Sequence, residues 1–211
     1  AWSLALVEAV EKGRLDPGAV PPDVVRRLLA AGPDAALRTR LATLWPRVRQ
    51  ATSAELEKEI ARLSEVIQLS TGSPYQGKKL FLESCGTCHR LFGRGAEVGP
   101  DLTVYQRTDL ANLLLNIVNP NAEIREGYES FQVETRDGRE LSGFIADQDA
   151  STVVLRTPDG LSVALPRAEV RRLEALGASL MPEGLLSGLG DQQVRDLFAY
   201  LRSTQPLNDG N

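Results

Sequence analysis

"SCGTCHRLFGRGAEVGPDLT", residues 84–103, contains both cysteines and the single histidine of the chain, and all three fall within the five positions from Cys85 to His89. Two thiols three residues apart on one helical turn reach the same edge of a porphyrin, where each adds to a vinyl group to form a thioether. The histidine next along the turn is carried under the ring, where its imidazole ligates iron from the proximal side. Cys-x-x-Cys-His is the attachment signature of haem c, so Cys85 and Cys88 are read as tethers and His89 as an iron ligand.

Three plainer readings compete. A thioredoxin-like redox pair should follow a β-strand in a βαβ unit, whereas the preceding "PYQGKKLFLES" reads as helix. A zinc site takes four ligands, usually from two separated pairs, and the chain has no third cysteine or second histidine. A disulfide between Cys85 and Cys88 would close too short a loop to stabilise much. Haem c with its iron is the reading carried forward.

The 211 residues are 42% hydrophobic, enough to bury a sizeable core in one large domain or two small ones. A net charge of −4 argues against nucleic acid as a partner, since such domains usually show a basic face. No run approaches a membrane span of roughly 18 apolar residues. The chain starts "AWSLALVEAV", without an initiator methionine, a basic leader or a cleavage site. It is read as a fragment of a longer protein with a signal peptide upstream. Haem c is attached outside the cytoplasm, so the expected location is periplasmic or otherwise extracytoplasmic.

Residues 1–72 read as helices broken by the turn signals "EKGRLDPGAVPP", "AAGPD" and "QATS". Pro46 should kink or end the helix bearing Leu37, Leu41 and Leu44, and Thr52 with Glu55 forms a capping box. This region is read as either the tail of a helical repeat array or a plain bundle. "STGSPYQG" places a boundary near residue 72. The following segment is mildly basic, with Lys78, Lys79, Arg90, Arg94 and Arg107 against Glu83, Glu97 and Asp101. "TDLANLLLNIVNP" reads as a helix capped by Thr108. From Tyr128 the pattern changes to period-two alternation with Asp-Gly turns at Asp137-Gly138 and Asp159-Gly160, which fits four or five short strands. The last segment returns to helix, with Asp191 as its cap and Val194, Leu197, Phe198 and Leu201 inward.

"GKKLFLESCGTCH", "GPDLT", "SLMP" and "DLFAYL" together resemble class I cytochromes c, and more closely the PVC-type haem-binding CxxCH domain. That domain is found as the C-terminal part of multidomain proteins with an upstream dehydrogenase-like propeller and helical repeats. The resemblance covers about residues 75–203. It implies a close crossing of the first and last cytochrome helices at Gly77, with Phe81 and Tyr200 packed there. It implies that Pro100 presents its carbonyl to the Nδ1–H of His89 and that Leu102 packs on the haem face. Met181, the only methionine, corresponds to the distal ligand, which makes His89 and Met181 the metal ligands. A core-filling methionine, Lys78 or Lys79 in its place, or a vacant sixth position are the alternatives.

His89 and Met181 are far apart for a compact cytochrome, and removing Gly127–Leu173 about halves the separation. The expected fold class is therefore mainly α. A helical region at 1–72 precedes a class I cytochrome c fold at 73–126 and 174–211. That fold is split at 127–173 by a small all-β insertion, an Sm-like barrel or curled sheet, which docks a partner, shields the haem edge or is simply structural. The expected function is electron transfer without substrate chemistry, so not an enzyme in itself. Electrons would come from redox partner proteins or an upstream dehydrogenase domain. The rivals are a ligand-binding or peroxidase-like haem domain with an open distal site, and a structural domain in which haem is a folding staple.

Overall fold

The structure is a computed structural model and describes residues 2–20, 25, 28, 35–45 and 53–208. Among the described residues, these helices have defined bounds: α1 Trp2–Glu11, α2 Ala35–Leu44, α3 Ser53–Leu69, α4 Pro74–Ser84, α5 Leu110–Val118 and α6 Asp191–Leu201. Five strands, β1 Glu129–Thr135, β2 Glu140–Gln148, β3 Thr152–Arg156, β4 Ser162–Pro166 and β5 Val170–Ser179, form one antiparallel sheet in the order β4-β3-β2-β1-β5. Pro46, Thr52 and the "AAGPD" turn lie outside the described residues.

The expectation of a mainly α chain with a small all-β insertion is overturned. About 40% of the chain is helical and 21% is strand, so the protein is mixed α and β, and its strand region is large. The strands run longer than their alternation indicates. β5 extends to Ser179 through "LEALGAS", a stretch of helix-favouring residues held extended because Ala175, Glu174 and Leu173 pair with Phe131, Gln132 and Val133 of β1. Strand preference depends chiefly on such cross-strand packing, so the tertiary partner decides the outcome. Asp137-Gly138 and Asp159-Gly160 do close tight hairpins, with both glycines at positive φ. Val133, Val153, Leu155 and Leu165 turn inward on the buried face.

Two compact units emerge. One comprises Ala1–Thr52, Ile124–Leu155 and Ala164–Glu183; the other comprises Ser53–Glu123, Arg156–Val163 and Gly184–Asn211. In the first, Val7, Val10, Leu37, Leu41 and Trp45 share an apolar cluster. The Trp45 Nε1–H donates to the Pro17 carbonyl at 2.7 Å, and Arg40 pairs with Glu11 through two bonds.

In the second unit, α3, α4, α5 and α6 surround a core of Leu63, Phe81, Leu91, Leu114, Val194, Leu197, Phe198, Tyr200 and Leu201. Helix α3 therefore packs with the elements that follow residue 72. Ser73 caps α4, with Pro74 in the first turn where its missing N–H costs nothing. The cap of α5 is Asp109 rather than Thr108, its carboxylate accepting from the Asn112 N–H. That of α6 is Gly190, whose N–H donates to the Gln193 side chain, so Asp191 is instead the first helical residue. In both cases the expected cap is one residue off, within the usual uncertainty of helix ends.

Helices α4 and α6 cross closely at Gly77. A side chain there would run into the Asp196 carbonyl and the Tyr200 Cβ, so only glycine lets the backbones meet. Phe81 and Tyr200 stack edge-to-face beside the crossing, with ring centroids 5.5 Å apart. Buried Asp196 fastens the same junction by accepting from the Ser73 N–H at 2.7 Å and the Gln192 amide at 2.8 Å.

Candidate functional site

Helix α4 delivers the Cys-x-x-Cys-His turn. Its last carbonyl bonds continue into the motif: Phe81 accepts from the Cys85 N–H at 2.8 Å, and Cys85 in turn accepts from His89 at 2.8 Å. The turn is thus a continuation of the helix end, with Cys85, Cys88 and His89 all half-buried on it. Residues 91–102 fold back over it. Ala96 donates to the Gly86 carbonyl, Val98 and Gly99 both donate to Cys88, and Leu102 donates to Arg90. Gly95, at φ +105, lies where a side chain would strike the His89 carbonyl, and a Cβ on Gly99 would press on the imidazole ring. These two glycines make room for the histidine. Gly99 opens the "GPDLT" stretch that carries the resemblance; Gly95 belongs to no such stretch, although "RGAEVGP" directly after the motif is a visible signal.

His89 Nδ1 lies 2.9 Å from the Pro100 carbonyl oxygen. A carbonyl only accepts, so the proton belongs on Nδ1 and the lone pair on Nε2, the tautomer suited to binding a metal. Burial lowers the His89 pKa, against the smaller opposing pull of the Pro100 bond, so the ring is held neutral. Burial, with a minor contribution from Cys88, pushes the Cys85 thiol up to about 11. Both cysteines are free thiols, as thioether formation requires.

Leu102 opens a short 3₁₀ turn capped by Asp101 and packs half-buried against the core of this unit. Arg107 lies beneath that turn, 7% exposed. Its guanidinium donates to the carbonyls of Leu102 and Leu201 at 2.9 Å and of Ser203 at 3.0 Å, and its Cζ sits 5.1 Å from the Phe92 ring centroid. Arg107 thereby ties the end of α6 to the loop over the motif, a role that composition alone did not reveal. Met181 belongs to the other compact unit, half-buried in the loop after β5, where its N–H donates to the Ser179 hydroxyl.

Residues 75–155 match the family model of Cytochrome c. The chain carries a cytochrome c domain. The cofactor of that family is covalently bound haem c with its iron, and the domain serves haem-binding electron transfer. The donor set fits the cofactor: two free thiols and a neutral imidazole with its outer nitrogen already bonded share one turn. A search of curated proteins found no match. Among the described residues, no helix is long and apolar enough to cross a membrane.

Proposed function

We propose that this chain is a one-electron relay outside the cytoplasm, with haem c tethered by Cys85 and Cys88 and iron held between His89 and Met181. The observation that carries the reading is the His89 Nδ1–Pro100 contact at 2.9 Å on the turn that also bears both thiols. When bound, the haem supplies an iron that takes up and releases one electron. Pro100 holds the proton on Nδ1, which fixes the ring plane of His89 and strengthens Nε2 as a donor. Gly95 and Gly99 keep that ring from being displaced. The fold-back of 91–102 fastens the turn through backbone bonds to Gly86, Cys88 and Arg90, with Leu102 packed half-buried beside it. Met181, the sole thioether of the chain, is the donor proposed for the distal side; a thioether favours ferrous iron and raises the potential relative to a second imidazole.

The proposed electron source is a dehydrogenase domain of the parent protein, on the strength of the resemblance to PVC-type haem domains; residues 73–126 and 174–211 make up the proposed cytochrome domain. Extracytoplasmic residence follows from the attachment chemistry, which takes place after export. Carbon monoxide separates this relay from a ligand-binding haem site. The reduced protein is expected to keep a low-spin spectrum under carbon monoxide, and rapid formation of a carbonyl adduct would overturn the relay reading in favour of an open distal site.

A further inference from the structure

Strand β5 does not run evenly beside β1. Glu129 pairs with Ser179 and Phe131 with Ala175, so Ser130 alone stands opposite Leu176, Gly177 and Ala178. β5 thus bulges here, with two residues more than its partner. Gly177 sits in the bulge at φ +58, in the left-handed region that glycine enters freely. A Cβ on Gly177 would meet no atom within 4 Å, so it is the backbone conformation, and not crowding, that calls for glycine. Ser130 is buried, and its hydroxyl donates to the Ala178 carbonyl, a bond from β1 to the bulge beyond the regular ladder. Met181 follows Ser179 by two residues, and its N–H donates to the Ser179 hydroxyl at 3.1 Å. All of these residues belong to one compact unit.

Bulges recur beside functional sites, where they re-aim the residues that follow. With an even register Gly177 would oppose Glu129, and Met181 would come four residues past that pair; with the bulge it comes two past. At about 3.3 Å per residue, the bulge draws Met181 back by about 7 Å. An iron ligand has to be held at one place, and methionine is an unbranched, flexible side chain, so the backbone that carries it has to be fixed. We propose that the bulge, shaped by Gly177 and fastened by Ser130, presents Met181 as the distal ligand, so that the β-sheet sets the sixth coordination position. Ser130 and Gly177 are then positioning residues. This rests on the Met181 ligation proposed above.

The test uses the full chain carrying covalent haem and reads the far-red charge-transfer band of ferric iron–thioether ligation, together with titration by imidazole. Ser130→Ala and Gly177→Val are each expected to weaken the band and to bind imidazole about tenfold more tightly, the scale of the left-handed penalty. Gly177→Asn, which tolerates the left-handed backbone, is expected to keep both values near wild type. Val133→Ala, which loosens the same strand away from the bulge, is expected to keep the band. A wild-type band and affinity in Ser130→Ala and Gly177→Val would overturn the positioning role alone; where Gly177→Val does not fold, Ser130→Ala decides. An equal loss in Gly177→Asn or Val133→Ala would also overturn it, since general loosening of the sheet would then be the cause. A wild-type chain that shows no band would overturn the Met181 reading, and the proposal with it.

Discussion

Gly77 stands where the backbones of α4 and α6 touch, and a single methyl group there meets a carbonyl that cannot move without shifting the helix. Gly77→Ala is expected to destabilise the haem-loaded protein by at least about 2 kcal/mol, the scale of overpacking in a tight site. Chemical denaturation measures this, and an unchanged midpoint would show that the helices have slack. Cys85 gives a pH signature of the haem-free chain. Its folded pKa is raised to about 11 from an ordinary 9.0, so the folded state keeps its proton after the unfolded state has lost it. The associated stability is fully present below pH 9 and is lost as pH rises toward 11. The expected loss is on the order of 2–3 kcal/mol at about 1.4 kcal/mol per unit. The loss should be absent in Cys85→Ala and in the haem-loaded chain, where a thioether has no proton to lose. Met181→Ala is expected to abolish the weak far-red charge-transfer band of ferric iron–thioether ligation and to lower the potential. Persistence of both would assign the sixth position to another group.

At the scale of elements, what could be read depended on how local the cause was. Helix α4 was legible because Ser73, Pro74 and the spacing of Gly77, Phe81 and Cys85 all act within one segment. The attachment turn was legible for the same reason, since Cys-x-x-Cys-His is its own explanation. β5 was not, because its extended form comes from β1, some forty residues earlier in the chain. The positive φ of Gly177 lies inside that strand, where the sequence alone suggested a flexible flank. The sequence shows Arg107 only as one of several basic residues, because the partners that make it a tie, the Leu201 and Ser203 carbonyls, lie nearly a hundred residues away. β1 is an interior strand of the sheet, paired with β2 on one side and β5 on the other, and its Val133 is fully buried. Val133→Ala is expected to cost about 2 kcal/mol of stability through lost burial and the cavity left behind. Thermal unfolding of the variant checks it, and an unshifted melt would mean the sheet's inner face is loosely packed.

Across the whole molecule, one short motif determined the cofactor while the balance of helix and strand had to be seen. The Cytochrome c match runs from residue 75 to 155 and so extends past α5 into β3, and the unit containing the attachment turn includes the β3–β4 turn at Arg156–Val163. Strand-forming sequence is therefore woven into the same part of the chain as the haem motif, and it is too large to be the small insertion into a mainly α cytochrome fold that the resemblance implied. The function depends less on that balance than on three side chains in five residues. The central claim is that haem is joined covalently to Cys85 and Cys88. It is tested most directly by the mass of the chain matured with a haem-attachment system and then fully denatured. One haem per chain is expected to survive denaturation and acid extraction, and none in the double variant Cys85→Ala, Cys88→Ala. Haem that extracts freely from the wild-type chain, or a properly matured chain with the mass of its polypeptide alone, would contradict it.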